Sequence, residues 1–434
     1  MNKELSPQEE GEQLSSTKSA QAPTENSERP AASHCPYQQA TLFQQALAPD
    51  KMRIAFFLGA GCPVSIRIPE NEGTRALIPD IAGLTEAVCS SLSSDPKYRT
   101  NLEAIILRLR EKGATSLNIE AVLSHIRALH EVVGKSGIDG LTEDSLAELD
   151  AEICRLTTKV VQVQLPNRST PYHSLATWIK GVQRAHPVEI FTPNYDLLIE
   201  QALEEGQVPY FDGFVGSYKT FFDLASIEQD TLPPRWARLW KVHGSINWWR
   251  TPDGDIQRRE SADKADLQMI YPSHMKYDQS RRLPYLAMLD RLKTFLARDQ
   301  AVLVTCGYSF LDQHLNETIF QGLSGNATAV CFAFLHGKLA KHPEAITGAR
   351  TYPNLRLLAI DGAILGTVER NWNAAPKPEH PLHDLAVVSG DTAAGEGAHE
   401  APCEMILGDF LALGHFLACQ LAYRLGDEGE NNAS

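Results

Sequence analysis

No two of the eight cysteines, Cys35, Cys62, Cys89, Cys154, Cys306, Cys331, Cys403 and Cys419, form a Cys-x-x-Cys pair. That leaves no zinc ribbon and no evident disulfide framework, and no metal site is expected. Basic residues are short too: 40 Lys and Arg against 54 Asp and Glu give a formal net charge of −14. Such a surface is a poor grip for a phosphate backbone, which needs clustered cations, so any nucleic acid should be handled by a partner. The opening stretch Met1 to Leu5 stays polar and lacks the apolar core of a signal peptide, and a cytoplasmic location is expected. No uninterrupted membrane-length apolar run occurs. The longest candidate, Met405 to Leu425, is broken by Asp409 and His415 and repeats at helical spacing, which points to a buried or interfacial helix.

What is present is the material of an α/β interior. At 434 residues and 43% hydrophobic content, the chain suits one enlarged α/β domain or two domains. Residues 1–40 are rich in Ser, Glu, Gln, Thr and Pro and should be a flexible tail. Ile54 to Leu58 is an unbroken apolar run ending at Gly59, the pattern of a buried parallel strand. From Ile81 to Val163 the pattern turns helical, most clearly in Ile119, Val122, Leu123, Ile126 and Leu129 behind the candidate N-cap Asn118. A second stripe carries Leu146, Leu149, Ile153, Leu156 and Val160. This block is expected to be a helical insertion between the first two strands of the core.

Beyond Ser169-Thr170-Pro171, which should open a helix, strands and helices alternate. Strands are expected at Val188–Thr192, Leu239–His243, Ala301–Cys306, Ala329–Leu335 and Leu355–Ile360, with helices at Leu283–Ala297 and from Asp312. The alternation predicts a Rossmann-like parallel sheet with helices on both faces, filling residues 41–375 as one domain. Residues 376–402 should be a linker, and residues 403–434 a C-terminal helix and tail, docked on the body or on another subunit.

Ligands of such sheets sit at the carboxyl ends of the strands, and four short motifs fall there. Phe57-Leu58-Gly59-Ala60-Gly61-Cys62 ends the first strand in a turn whose backbone N–H groups could approach a pyrophosphate, although Gly-x-Gly also serves as plain strand-to-helix punctuation. Phe191-Thr192-Pro193-Asn194-Tyr195-Asp196 stops a strand on a polar cluster, in which Asn194 or Asp196 could equally be a simple N-cap. Lys241-Val242-His243-Gly244-Ser245-Ile246-Asn247-Trp248 places His243 at another strand end. A lone histidine is commonly a structural hydrogen-bonder; this one shares the expected sheet edge with Asn194. Cys306-Gly307-Tyr308-Ser309-Phe310 offers a Gly-x-Ser turn for a phosphate or ribose, or merely a loop.

Taken in order, Gly-Ala-Gly, Thr-x-Asn-Tyr-Asp, Lys-x-His-Gly-Ser-Ile-Asn-Trp and Gly-Tyr-Ser-Phe resemble the sirtuin superfamily, and within it the bacterial sirtuin-like NADases of antiphage defence, over about residues 52–362. The resemblance implies a sirtuin-like fold with NAD as substrate. It assigns Asn194 and His243 to the chemistry at the nicotinamide ribose, and Gly59, Ala60, Gly61, Cys62, Thr192, Asp196, Gly307 and Ser309 to binding of the dinucleotide. Departures from the deacylase pattern carry information. Pro63 stands at the Ser position of the deacylase pattern Gly-Ala-Gly-x-Ser, and the run from Arg67 to Glu72 replaces Gly-Ile-Pro-Asp-Phe-Arg. Ile78-Pro79-Asp80 is a candidate for supplying the acidic group from farther along, and the zinc module is missing.

These losses point away from acyl-lysine peptides and toward an NAD glycohydrolase that releases nicotinamide and ADP-ribose, or a cyclic product. Asn194 would orient the ribose and the attacking water, and His243 would take the proton. Asp196 would fix either the ribose or the Asn194 loop. A non-catalytic NAD or ADP-ribose sensor and, more remotely, an NAD-dependent protein deacylase are the alternatives. An enzyme that destroys NAD should be gated. The stretch from Ala359 to Gly366 resembles sirtuin-like proteins encoded beside HerA-type ATPases, which implies a homo-oligomer with such a partner and no direct contact with nucleic acid or membrane.

Overall fold

The run from Ile54 to Leu58 is apolar on both sides of the strand, so it can be buried only with cover on both faces. In the computed structural model it lies in the middle of a nine-stranded sheet. The structure describes residues 34–48, 52–70, 73–113, 117–134, 137–182, 184–260, 267–270, 283–372, 374–390 and 403–430. In chain order the sheet strands are β1 (Arg53–Leu58), β2 (Glu189–Thr192), β3 (Tyr210–Phe211), β4 (Ala237–Lys241), β5 (Ala301–Cys306), β6 (Val330–Phe334), β7 (Leu355–Leu358), β8 (Gly362–Leu365) and β9 (Val368–Asn371). Their spatial order is β9-β8-β7-β6-β5-β1-β2-β4-β3. The seven strands from β3 through β7 in that row run parallel; β8 and β9 close one edge as an antiparallel pair.

Strand periodicity divides the interior in two. Ile54, Phe56 and Leu58 of β1 face one core with Val302, Val304 and Cys306 of β5, while Ala55 and Phe57 face the other with Leu303. The first core lies under the helices Pro36–Ala46 and Pro171–Gly181, the insertion and the C-terminal helix. Beneath the second lie Tyr285–Ala297, Gln313–Gly325 and Pro343–Thr351.

Four helices, Ile81–Ser94, Pro96–Glu111, Ile119–His130 and Glu143–Val161, form the insertion between β1 and the helix Pro171–Gly181 that precedes β2, after a short hairpin of Arg67–Glu70 with Gly73–Ala76. Asn118 caps its helix through the amide of Ala121 at 2.8 Å, and Arg127 ties two of the helices together through a two-pronged ion pair with Asp150, at 2.6 and 2.9 Å.

Several boundaries differ from those expected. Helix Pro36–Ala46 begins within the supposed tail, because Tyr37, Ala40 and Phe43 are buried; residues 1–33 lie outside those described. The expected Leu239–His243 strand ends at Lys241, since the chain turns at Val242-His243 and leaves through Gly244 at a φ of +92°, open only to glycine without strain. It continues as Gly244–Arg250, the centre of a small antiparallel sheet with Ile256–Arg258 and Leu267–Ile270. The expected strand to Ile360 stops at Leu358, where the chain reverses into β8.

The supposed linker is also built in over its first part. Leu382, Ala386 and Val387 are buried, and Val387–Ser389 pairs with Cys403–Met405; residues 391–402 lie outside those described. The C-terminal helix Phe410–Glu430 docks on the chain's own body. Phe416 stacks on Phe43 with ring centres 5.3 Å apart, and Gly414 lies so close to Pro171 that a Cβ there would come within 2.7 Å of its backbone. Among the described residues no helix is long and apolar enough to cross a membrane.

Candidate functional site

The sheet order turns outward in both directions from β1 and β5: the chain steps from β1 to β2 on one side and later returns to β5 on the other. A crevice forms at the carboxyl ends where strand order reverses, and the four motifs stand there. Thr192 pairs with Lys241, so Asn194 and His243 each leave their strands two residues past the same rung of adjacent strands. On the other side Leu58 pairs with Cys306, which brings the Gly59–Cys62 turn against the Gly307–Ser309 turn.

The two glycine turns interlock. A Cβ on Gly59 would lie 2.3 Å from the Gly307 carbonyl oxygen, and one on Gly307, whose φ is +65°, would lie 2.5 Å from the Cys62 nitrogen. Both obstacles are backbone and cannot swing aside. The amides are spent the same way: Gly59 donates to the Cys306 carbonyl at 2.9 Å, Gly61 to Gly307 at 2.8 Å and Cys62 to Gly59 at 3.0 Å. The expected cradle of turn amides is therefore largely committed to holding the two turns together, and Ala60, exposed, is the residue the first turn presents outward.

The ten residues singled out from the sequence thus divide by orientation. Ala60 and Ser309 are exposed, and Asn194, His243, Gly61 and Gly307 are half-buried. The remaining four point inward. Gly59 is buried. Cys62 is wholly buried, its thiol 3.3 Å from the Cys306 carbonyl, and burial pushes that thiol well above its ordinary range. Thr192 donates its hydroxyl to the Leu58 carbonyl at 2.7 Å and accepts the Asn194 amide at 3.1 Å. The Asp196 carboxylate, buried and raised by that burial, accepts the Leu198 amide at 3.1 Å. Cys62, Thr192 and Asp196 are therefore supports of the site rather than parts of its lining. Asp80, the candidate acidic group, caps the helix Ile81–Ser94 through the Gly83 amide at 2.9 Å.

Asn194 is held by its own side chain, whose Nδ2 donates to the Gly59 carbonyl at 3.1 Å. The loop beneath it is fastened from below by Lys241. That ammonium, 1% exposed, donates to the carbonyl oxygens of Asp196 and Tyr195, the latter at 3.4 Å, and meets the Glu200 carboxylate at 2.9 Å. Burial raises Glu200 above its ordinary value against the pull of Lys241.

Two residues were missed from the sequence. Asp312 brings its Oδ2 to 3.1 Å from His243 Nε2, with the two side chains only 11% and 15% exposed. Burial alone would lower His243; facing Asp312, and then Glu120, outweigh it and hold the imidazole above its ordinary value. Burial likewise works to raise Asp312, but His243 and the Leu315 amide bring it below the usual carboxylate range. Because β1 and β2 lie between β5 and β4, this pair reaches across two intervening strands, about 14 Å at the spacing of a sheet.

The loop that makes this reach is over-determined. Phe310, wholly buried, sits at a φ of +59°, a strained position for a bulky side chain. It is pinned by Asn316 Nδ2 on its carbonyl at 2.6 Å, while Tyr308 reaches Asn316 Oδ1 at 2.7 Å. Glu120, from the insertion, accepts the Tyr195 hydroxyl at 3.0 Å. The sequence marked Asp312 as the start of a helix just past the Gly-Tyr-Ser-Phe turn and gave no sign that it faces His243; nothing local could have singled out Glu120.

Residues 188–353 match the family described as SIR2-like domain. The matched segment runs from just before β2 to just before β7 and contains Asn194, His243, Ser309 and Asp312, while the Gly59–Cys62 turn and the helical insertion precede it. Among solved structures, one described as showing the mechanism and regulation of Sir2 enzymes aligns at 11% identity and a TM-score of 0.33, over 70% of this chain and 85% of its own. A second, a Sir2 homologue in complex with NAD, aligns at 14% identity and a TM-score of 0.35, over 70% of this chain and 86% of its own. No curated protein matches the chain.

Proposed function

We propose that the chain is an NAD glycohydrolase, cleaving NAD to nicotinamide and ADP-ribose, and that it serves as a gated effector of antiphage defence by depleting NAD. The observation that carries this reading is the pairing of an amide and an imidazole, Asn194 and His243, two residues past one rung of adjacent parallel strands at the switch point of the sheet. The SIR2-like match across both residues supports it, and the lack of any Cys-x-x-Cys pair favours it over a deacylase.

Breaking the N-glycosidic bond of NAD needs little acid help, because nicotinamide departs as a neutral molecule. What the site must supply is orientation, stabilisation of an oxocarbenium-like ribose, and a base for the attacking oxygen. Asn194, its side chain fixed on Gly59, orients the ribose or water; His243 accepts the proton. On this reading Ala60 and Ser309, exposed on the facing turns, would meet the rest of the dinucleotide. The same reading makes the chain a subunit of an assembly, with copies of itself and with a HerA-type ATPase that touches DNA in its place.

The test is a time course of NAD loss and product identity by chromatography for wild type, Asn194→Ala and His243→Ala, each with and without a HerA-type ATPase. Nicotinamide and ADP-ribose from wild type alone are expected. Turnover retained in both variants would overturn the assignment, and NAD binding without any loss would favour the sensor.

A further inference from the structure

We infer that Asp312 is the positioning residue of His243: it fixes which ring nitrogen is left to accept a proton and holds the charge that then develops. The inference rests on the glycohydrolase reading for its chemistry, but its geometry stands apart. Nε2 lies 3.1 Å from Asp312 Oδ2, an ion-pair contact outside hydrogen-bond geometry, and the nearby carboxylate favours the tautomer of the neutral imidazole with its hydrogen on that nitrogen. Nδ1, with no hydrogen-bond partner among the described residues, is the basic one. When a ribose hydroxyl or water gives its proton to Nδ1, the O–H bond breaks, an N–H bond forms and the oxygen attacks C1′. The glycosidic electron pair leaves with nicotinamide, and the resulting imidazolium lies beside a carboxylate.

Asp312 is unusually well placed to do this. Its other oxygen, Oδ1, caps the helix Gln313–Gly325 by accepting the amides of His314 at 3.0 Å and Leu315 at 3.2 Å. Oδ1 is thereby committed to the backbone, while the buried Oδ2 makes no hydrogen bond of its own and has His243 Nε2 at ion-pair distance, 3.1 Å. The strained Phe310, two residues earlier, and the Tyr308–Asn316 bond fix the loop that carries it. The charged groups acting on His243 are Asp312 from this loop and Glu120 from the insertion, with His314 behind Asp312.

This dual use allows a clean substitution. Asn is as good an N-cap as Asp, so Asp312→Asn keeps the acceptor for the helix amides and removes only the charge; Asp312→Ala removes the cap as well and reports the structural share. The His243 protonation midpoint is followed by NMR, and the acid limb of kcat/KM for NAD is followed across pH, in wild type, Asp312→Asn and Glu120→Gln. The midpoint in Asp312→Asn is expected to fall to or below the ~6.5 of a free imidazole, with the acid limb moving down by the same amount. Turnover near neutral pH should fall, by at most the roughly 10²–10⁴-fold that a positioned base contributes. Asp312→Glu, which restores the charge, should return the midpoint toward the wild-type value. An unmoved midpoint in Asp312→Asn overturns the inference whatever the turnover. A moved midpoint in a protein that leaves NAD intact at every pH overturns the glycohydrolase reading and leaves the pair standing.

Discussion

Replacing Lys241 by Met should loosen the whole platform beneath Asn194. The side chain is isosteric to the methylene stem and loses only the ammonium. What remains is a Glu200 carboxylate whose side chain is 11% exposed, already missing a partner at Oε2, together with the carbonyl oxygens of Tyr195 and Asp196 that Lys241 now satisfies. Removing one partner of a buried ion pair costs about 3–5 kcal/mol, because the survivor is left uncompensated. At the ~2 °C per kcal/mol expected of a larger domain, that is a fall of about 6–10 °C in Tm.

Urea denaturation of wild type, Lys241→Met, Glu200→Gln and the double variant closes a cycle. The double variant should recover much of the loss, with a coupling energy of about 0.5–3 kcal/mol. The deficit of Lys241→Met should also shrink as pH falls toward the carboxylate range, since Glu200 then folds neutral. A loss under ~1 kcal/mol, or a double variant no better than the single, would refute the argument that this buried ammonium fastens the Asn194 loop.

Two further outcomes are expected. The His243–Asp312 pair should stabilise the fold within a pH window. His243 is raised, so its share is fully present below its unfolded pKa of ~6.5 and disappears as pH rises through the raised folded value; Asp312 is lowered, so its share is present above ~3.9 and disappears as pH falls through the lowered value. The Tm difference between wild type and Asp312→Asn should therefore peak between about pH 4 and 6.5, and a difference that grows above neutrality would contradict it. Gly307→Ala should be far more damaging than Gly366→Ala. Both have positive φ, +65° and +54°, and share the ~1–2 kcal/mol left-handed cost, but only the first drives a Cβ into backbone while the second meets nothing within 4 Å. Equal losses in denaturation would show that the interlock of the turns contributes nothing.

Much of the frame was legible because its signals are local. The unbroken run Ile54–Leu58 could only be a doubly covered strand, Ala301–Cys306 was read to its ends, and stripes such as Val122, Ile126 and Leu129 mark helical faces. The strand-end rule also placed Asn194 and His243 near one another without a coordinate. Side-chain direction beyond a strand end was not legible, since the two-residue period stops with the strand. Cys62, Thr192 and Asp196 could be placed at the crevice but not seen to turn their backs on it. The edge pair β8 and β9 was missed because each has four residues joined by a turn at Gly366, too short for a periodic signal. Asp312 and Glu120 reach the site through contacts distant in sequence, which no local pattern encodes.

The pairing of β1 with β5 sets the order in which the protein can be made. Arg53 lies against Ala301 and Leu58 against Cys306, so the central rung of the sheet joins segments far apart in the chain. Closing a loop of that length costs roughly 5 kcal/mol of entropy before any contact offsets it, and such contacts form slowly. On a ribosome, Asn194 and His243 emerge well before β5, at a time when Gly59 has no Gly307 to rest on and His243 has no Asp312 to face. A half-made chain therefore has Asn194 and His243 without the turn and the carboxylate that hold them in the finished fold.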